Sequence, residues 1–132
     1  MNPAGSTVKS AHILVVEDDP TITRALSRLL ASEGFDCTVF HTGMEGLRYV
    51  QQSPPDAAII DIHLPDLNGL VLSQKLRETL GPEKPIIVLS GDTSMEVVNS
   101  LSLVGATYFF PKPVRGDDLM QTTRQLLEGQ GE

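Results

Sequence analysis

Cysteine and tryptophan are nearly missing from this sequence of 132 residues, which contains one cysteine, Cys37, and no tryptophan. A single cysteine excludes an internal disulfide and any cysteine-rich zinc site, and it favours a reducing compartment such as the cytoplasm. No apolar run approaches the roughly 20 residues that a membrane-spanning helix needs. The first residues are polar and lack the apolar core of a signal peptide. We therefore expect a soluble cytoplasmic protein that does not contact a membrane.

Basic residues are also scarce. Lysine and arginine together number 10 against 17 acidic residues, so the formal net charge is −7. This balance argues against direct binding of nucleic acid, because phosphate contacts need clustered lysine and arginine. The hydrophobic share of 40% and the charged share of 20% are those of an ordinary globular chain. At this length we expect one domain with a single core.

Strand-length apolar runs recur along the chain. Three of them are continuously apolar, as expected of parallel strands that helices cover on both faces. Another run alternates in polarity, which is typical of an edge strand with one wetter face. The predicted strands span residues 13–16, 35–40 (the alternating run), 57–60, 86–89 and 107–110.

Helical patterns fill every gap between these runs. Asp19 and Pro20 are typical of a helix N-cap and the residue after it, and residues 93–96 form a capping-box pattern before a fourth helix. The fifth helix is expected to start near residue 114 or 115 and to bury Leu119 and Leu126. In the second helix three residues are expected to face the core: Met44, Leu47 and Val50. Strict alternation of five strands with five helices predicts an α/β fold, a doubly wound parallel sheet between two helical layers.

Polar residues follow the predicted strands at the edge where an open α/β sheet binds ligands. Glu17 and Asp18 end the first strand, and Asp61 ends the third. Ser90 ends the fourth strand and Lys112 follows the fifth. If these strands are neighbours, the carboxylates meet and repel one another unless a cation lies between them. Because Mg²⁺ prefers oxygen ligands, the three acidic residues predict a metal site.

The same residues could hold a phosphoryl group. Phosphoryl transfer depends mainly on positioning and charge neutralisation, which a metal ion, the Lys112 ammonium and the Ser90 hydroxyl can supply. Carboxylates also accept phosphoryl groups to form an aspartyl phosphate, and Asp61 is the best placed acceptor. An isolated aspartate would more often cap a turn. The place of Asp61 at the end of a buried strand, together with the other motifs, favours a functional role.

Five motifs occur in order at the predicted strand ends, in residues 15–20, 60–69, 88–91, 105–106 and 112–113. Together they resemble the receiver domains of two-component response regulators, including the chemotaxis regulators. The resemblance covers residues 11–129, with a flexible N-terminal tail at residues 1–10 and a C-terminal tail at residues 130–132. It implies a flavodoxin-like sheet with the strand order 2-1-3-4-5.

The resemblance also implies a role for each site residue. Asp61 would be the phosphoacceptor, taking the phosphoryl group from a phosphohistidine in a Mg²⁺-dependent reaction. Lys112, presented by a cis bond to Pro113, would pair with the phosphoryl oxygens. The metal, Mg²⁺ or Mn²⁺, would be held by Glu17, Asp18, Asp61 and the backbone carbonyl of His63.

A switch and an output surface are implied as well. Ser90 would turn toward the phosphoryl group, and the ring of Phe109 would move inward behind it. The face formed by the fourth helix, fifth strand and fifth helix would bind a downstream effector or a fused output domain, and it could also form a homodimer. The phosphoryl donor would be a sensor histidine kinase or a histidine phosphotransfer protein. Such a domain assists its own phosphorylation and dephosphorylation but is not an enzyme with a separate turnover substrate.

Three other functions fit parts of the pattern. A phosphatase of the haloacid-dehalogenase type uses the same groups, but its nucleophile follows the first strand in an Asp-x-Asp pattern, which differs from residues 17–19. A nucleotide or flavin site needs a glycine-rich or hydroxyl-rich loop after that strand, where these acidic residues would repel a phosphate. The remaining alternative is a phosphorylation-independent, receiver-like adaptor that uses only its surface.

Overall fold

A five-stranded parallel sheet forms the centre of the computed structural model, which describes residues 11–91, 99–100 and 105–130. The order across the sheet is β2-β1-β3-β4-β5, and each neighbouring pair is parallel. This confirms the predicted strand order and the α/β fold. The strands are β1 (His12–Val16), β2 (Asp36–Phe40), β3 (Ala57–Asp61), β4 (Ile86–Ser90) and β5 (Tyr108–Pro111).

Four helices lie within the described residues: α1 (Pro20–Ser32), α2 (Gly43–Gln52), α3 (Gly69–Leu80) and α4 (Gly116–Gln130). The last of them, α4, corresponds to the predicted fifth helix. The predicted fourth helix falls mostly outside the described residues, although Asn99 and Ser100 are described and are helical. The predicted tails at residues 1–10 and 131–132 also lie outside them, whereas Gln130, assigned to a tail, is the last residue of α4.

Two layers of apolar side chains cover the sheet and explain why its central strands are continuously apolar. Successive residues of β1, β3 and β4 point to opposite faces, and every residue of β3 and β4 is buried. In β1, Ile13 and Val15 pack in the core beneath α1 and α4, and Leu14 and Val16 pack in the core beneath α2 and α3. The alternating strand β2 lies at the edge of the sheet and is less buried, as predicted.

Two predictions about helix faces are wrong in detail. Met44 is 49% exposed because α2 turns Gly43 and Gly46 inward, whereas the predicted Val50 is fully buried and Leu47 packs partly against the core. A Cβ atom at Gly46 would lie only 2.8 Å from Val16 Cγ2, so this helix packs closely against the end of β1. In α4, the predicted Leu119 is fully buried, but Leu127 is the second buried leucine. Leu126 packs only partly against the same core.

The register of the sheet brings the carboxyl ends of its central strands together. Asp61 pairs with Leu89, and Ser90 pairs with Pro111, the residue before Lys112. The N-terminus of α1 follows β1 directly, where Asp19 accepts a hydrogen bond from the Thr21 N–H at 2.9 Å. This is the predicted N-cap. No helix among the described residues is long and apolar enough to cross a membrane.

Candidate functional site

Three acidic side chains converge at the carboxyl edge of the sheet. Glu17 and Asp18 follow β1, Asp61 ends β3, and their nearest carboxylate oxygens all lie within 4.8 Å of one another. Glu17 is 1% exposed and Asp61 is 3% exposed, whereas Asp18 is exposed at the rim. Because β1 and β3 are hydrogen-bonded neighbours, two segments separated by more than forty residues of chain meet here. This arrangement is the one expected from acidic residues at the ends of neighbouring parallel strands.

Lys112 supplies the positive charge of the site. Its Nζ donates a hydrogen bond to Glu17 Oε1 at 3.0 Å and lies 3.1 Å from Asp61 Oδ1 in an ion pair. The Lys112 N–H donates to the Ser90 carbonyl at 2.8 Å, which continues the pairing of β4 with β5 beyond the strand end. The peptide bond between Lys112 and Pro113 is cis, as predicted. One ammonium group therefore faces two buried carboxylates.

Burial and charge act in opposite directions on these groups. Burial raises the pKa of Glu17; its hydrogen bonds from Lys112 and from the Asp19 N–H offset only part of that effect, and the charge of Asp61 adds to it. Burial disfavours the Lys112 ammonium, but hydrogen bonds and attraction from the two carboxylates outweigh this effect, so the pKa of Lys112 is raised. The buried carboxylates therefore strongly favour a positive charge beside them.

The donor set fits a hard divalent cation. Asp61 Oδ1 is buried, and it is paired with the Lys112 ammonium at 3.1 Å, which also serves Glu17. Three carboxylates share this one ammonium group, so negative charge is left over that a bound cation would offset. The cluster offers only oxygen atoms, which suits Mg²⁺ or Mn²⁺ better than a softer metal. Asp18 lies at the open side of the cluster, where water could complete the coordination.

The other predicted site residues surround this cluster. Ser90 is fully buried at the end of β4, next to the strand that carries Asp61. His63 is exposed and lines a cleft of about 440 Å³ together with Asp18. Phe109 is half-buried on β5 and packs against the core beneath α2 and α3, away from Phe110, which packs on the opposite face. Their predicted roles depend on bound groups and remain predictions.

One contact to this site has no sequence signal. His41 follows the edge strand β2, and its Nδ1 lies 2.9 Å from the Glu17 carbonyl oxygen, within hydrogen-bond distance. The Glu17 N–H in turn donates to the Phe40 carbonyl at 3.0 Å, so the backbone of Glu17 is held on both sides. Nothing in the spacing of the three histidines indicates this contact. It arises only because β2 lies beside β1 in the folded chain.

Comparison with known proteins places this geometry in a family. A family model described as the response regulator receiver domain matches residues 13–124. The response regulator MprA of Mycobacterium ulcerans (strain Agy99) is 37% identical over 119 residues, which cover 89% of this chain and 50% of that protein. MprA of Mycobacterium tuberculosis (strain H37Rv) is also 37% identical over 119 residues, with 89% and 51% covered. This chain therefore spans about half the length of these curated relatives.

Solved structures agree with this assignment. A CheY-like response regulator receiver domain protein from Methanospirillum hungatei JF-1 has a TM-score of 0.88 and 30% identity, covering 92% of this chain and 97% of that chain. The receiver domain of the Francisella response regulator 1452 has a TM-score of 0.83 and 28% identity, covering 91% and 98%. The prediction made from the five motifs is confirmed. The chain belongs to the family of response regulator receiver domains.

Proposed function

We propose that this chain is a phosphorylation-controlled switch in which Asp61 accepts a phosphoryl group with the help of Mg²⁺. The observation that carries the proposal is the position of Asp61. Its carboxylate is buried beside the Lys112 ammonium at 3.1 Å and within 4.8 Å of two further acids. This arrangement offers both a nucleophile and the opposing charge that a transferring phosphoryl group needs.

The proposed donor is a phosphohistidine on a sensor histidine kinase or a histidine phosphotransfer protein. A carboxylate oxygen of Asp61 attacks phosphorus, the new P–O bond forms as the P–N bond breaks, and the histidine nitrogen leaves with the bonding electron pair. Lys112 faces the oxygens of the transferring group, and its hydrogen bond to Glu17 holds it in place. The residues that would hold Mg²⁺ are Glu17, Asp18, Asp61 and the carbonyl of His63. When bound, the ion neutralises charge on the phosphoryl oxygens.

The phosphorylated form would differ from the free form at its surface. Ser90 is proposed to donate its hydroxyl to the phosphoryl group, and the half-buried ring of Phe109 to respond by moving inward. The output face is proposed to include β5, α4 and the segment between β4 and β5, where a downstream effector, a fused output domain or a second copy would bind. The proposed receiver unit spans residues 11–129. It acts in the cytoplasm and has no turnover substrate of its own.

Intact-protein mass spectrometry tests the phosphoacceptor directly. The chain is incubated with Mg²⁺ and acetyl phosphate, and we expect a gain of one phosphoryl group that disappears when EDTA removes the metal. Asp61→Asn should abolish the gain. Asp56→Asn is the matched control, because Asp56 precedes the same strand at its other end, where its carboxylate contacts the Lys84 ammonium and the His12 N–H rather than the site. A natively folded wild-type protein that gains no mass would favour the phosphorylation-independent adaptor.

A further inference from the structure

The loop between β3 and α3 is tied to the N-terminus of α2 by one side chain. Asp66 Oδ1 accepts a hydrogen bond from the Gly43 N–H at 2.8 Å, and Asp66 Oδ2 accepts one from the Met44 N–H at 3.0 Å. These are two of the N–H groups that a helix start leaves without partners. The hydrogen bonds from Met44 and Gly43 lower the pKa of Asp66, so the carboxylate is charged at neutral pH. Asp66 thus caps a helix that begins more than twenty residues earlier.

A second cap at the same helix end does not reach this loop. Thr42 Oγ1 accepts a hydrogen bond from the Glu45 N–H at 3.3 Å, and the Thr42 carbonyl accepts one from Gly46. Thr42 therefore stabilises α2 from within its own segment. Asp66 alone of these two residues connects the helix to the loop that carries His63.

Close packing surrounds this connection. A Cβ atom at Gly43 would lie 3.1 Å from Leu67 Cβ, so the first turn of α2 is pressed against the loop. The same helix contacts the end of β1 through Gly46 and Val16, directly before Glu17. Asp66 also lines the cleft that is bordered by Asp18 and His63. The helix α2 thus contacts both the β3–α3 loop and the end of the strand that leads into Glu17 and Asp18.

We infer that Asp66 is a positioning residue for the metal site: by fastening the β3–α3 loop to α2, it holds His63 in place relative to Glu17 and Asp18. The inference rests on the proposed function, because it assumes that the His63 carbonyl is a ligand. Residues that orient metal ligands commonly contribute about 10–100-fold to affinity without touching the ion. Asp66 acts one step further out, because its two hydrogen bonds hold the loop to α2 rather than contacting a ligand, so the lower end of this range applies.

Three variants separate this role from charge and from helix capping. Asp66→Ala removes the charge and both hydrogen bonds, whereas Asp66→Asn removes the charge but keeps an acceptor for one N–H group. Thr42→Ala weakens the same helix end without loosening the loop. Binding of Mn²⁺, an oxygen-preferring probe, is measured by electron paramagnetic resonance. Amide hydrogen exchange of Leu64 and Gly69 is measured in metal-free protein, because both N–H groups donate to the Ile62 carbonyl within this loop.

The positioning role predicts an order among the variants. Asp66→Ala should weaken Mn²⁺ binding about tenfold and speed exchange of the loop amides, Asp66→Asn should have a smaller effect on both, and Thr42→Ala should leave both within twofold. Weaker Mn²⁺ binding in Asp66→Asn with loop exchange at the wild-type rate would reduce the effect to charge and overturn the inference, as would unchanged loop exchange in Asp66→Ala. Failure of the wild-type chain to bind Mn²⁺ would instead refute the proposed function, and loop exchange would still decide whether Asp66 orders the loop.

Discussion

Replacing Lys112 with methionine is a stringent test of the electrostatic account. The substitution keeps most of the aliphatic stem but removes the ammonium that lies 3.0 Å from Glu17 and 3.1 Å from Asp61. The two carboxylates are 1% and 3% exposed, so water cannot replace the lost charge efficiently. Without metal, the folded variant must either keep two buried charges unpaired or bind a proton. Both options lower the free energy of unfolding.

The magnitude follows from two estimates. Removing one partner of a buried ion pair costs about 3–5 kcal/mol, and the lower end applies because the Lys112 side chain is 25% exposed. Protonation of one carboxylate sets an upper limit on this loss of stability. A carboxyl with an ordinary pKa of about 4.3 costs about 4 kcal/mol to protonate at pH 7. We therefore expect Lys112→Met to lose about 3 kcal/mol. At pH 5 the protonation limit falls to about 1 kcal/mol, so the loss should shrink accordingly.

Urea unfolding followed by circular dichroism in EDTA at pH 7 and pH 5 measures this loss. Lys84→Met is the matched control, because Lys84 and Asp56 form an ion pair whose side chains are 37% and 44% exposed. An exposed pair of this kind contributes less than about 1 kcal/mol. If Lys112→Met is no less stable than Lys84→Met at pH 7, or if its loss is the same at both pH values, the reasoning is wrong.

Three further predictions concern the same edge of the sheet. Because the pKa of Glu17 is raised, the protonated form of Glu17 stabilises the fold below the ordinary carboxyl pKa, and this stabilisation is lost as pH rises through the raised value. Urea unfolding should therefore show the stability of Glu17→Gln, measured relative to wild type, increasing from pH 4 to pH 7. Mg²⁺ at 100 times its Kd should stabilise the wild type by about 2.7 kcal/mol, and Asp61→Asn should lose most of this gain in thermal unfolding. Gly69→Ala would place a methyl group 2.5 Å from the backbone atoms Asp61 O and Ile62 Cα and should lower the free energy of unfolding by about 3 kcal/mol. The control Gly129→Ala, where a Cβ atom would have nothing within 4 Å, should be nearly neutral in the same assay.

The fold was predictable from the sequence wherever burial is complete. β3 and β4 are apolar up to the polar residue that ends each strand, because both faces of each strand are covered. Helix α1 begins at the Asp19–Pro20 pair because the chemistry of its N-cap is local. The inward face of α2 was not predictable in this way. Apolar spacing favoured Met44, but the close approach of Gly46 to Val16 turns that helix so that Met44 points to solvent.

In the candidate site, too, some contacts were predictable from the sequence and others were not. The meeting of Glu17, Asp61 and Lys112 follows from a general property of parallel sheets, in which strand ends share one edge. The contacts of His41 and Asp66 do not follow, because each joins a loop to a segment about twenty residues away or more. No periodicity or motif spacing encodes such a contact. Only the packing of α2 and β2 beside the central strands brings the partners together.

Locating the phosphoryl group on the chain tests the central claim most directly. After treatment with Mg²⁺ and acetyl phosphate, borohydride reduction converts an aspartyl phosphate to homoserine, which peptide mass spectrometry identifies by position. The account predicts homoserine at position 61 alone, and none there when acetyl phosphate is omitted. Reduction products at Asp18, Asp56 or Asp66 with none at Asp61, or modification of a histidine, would contradict it.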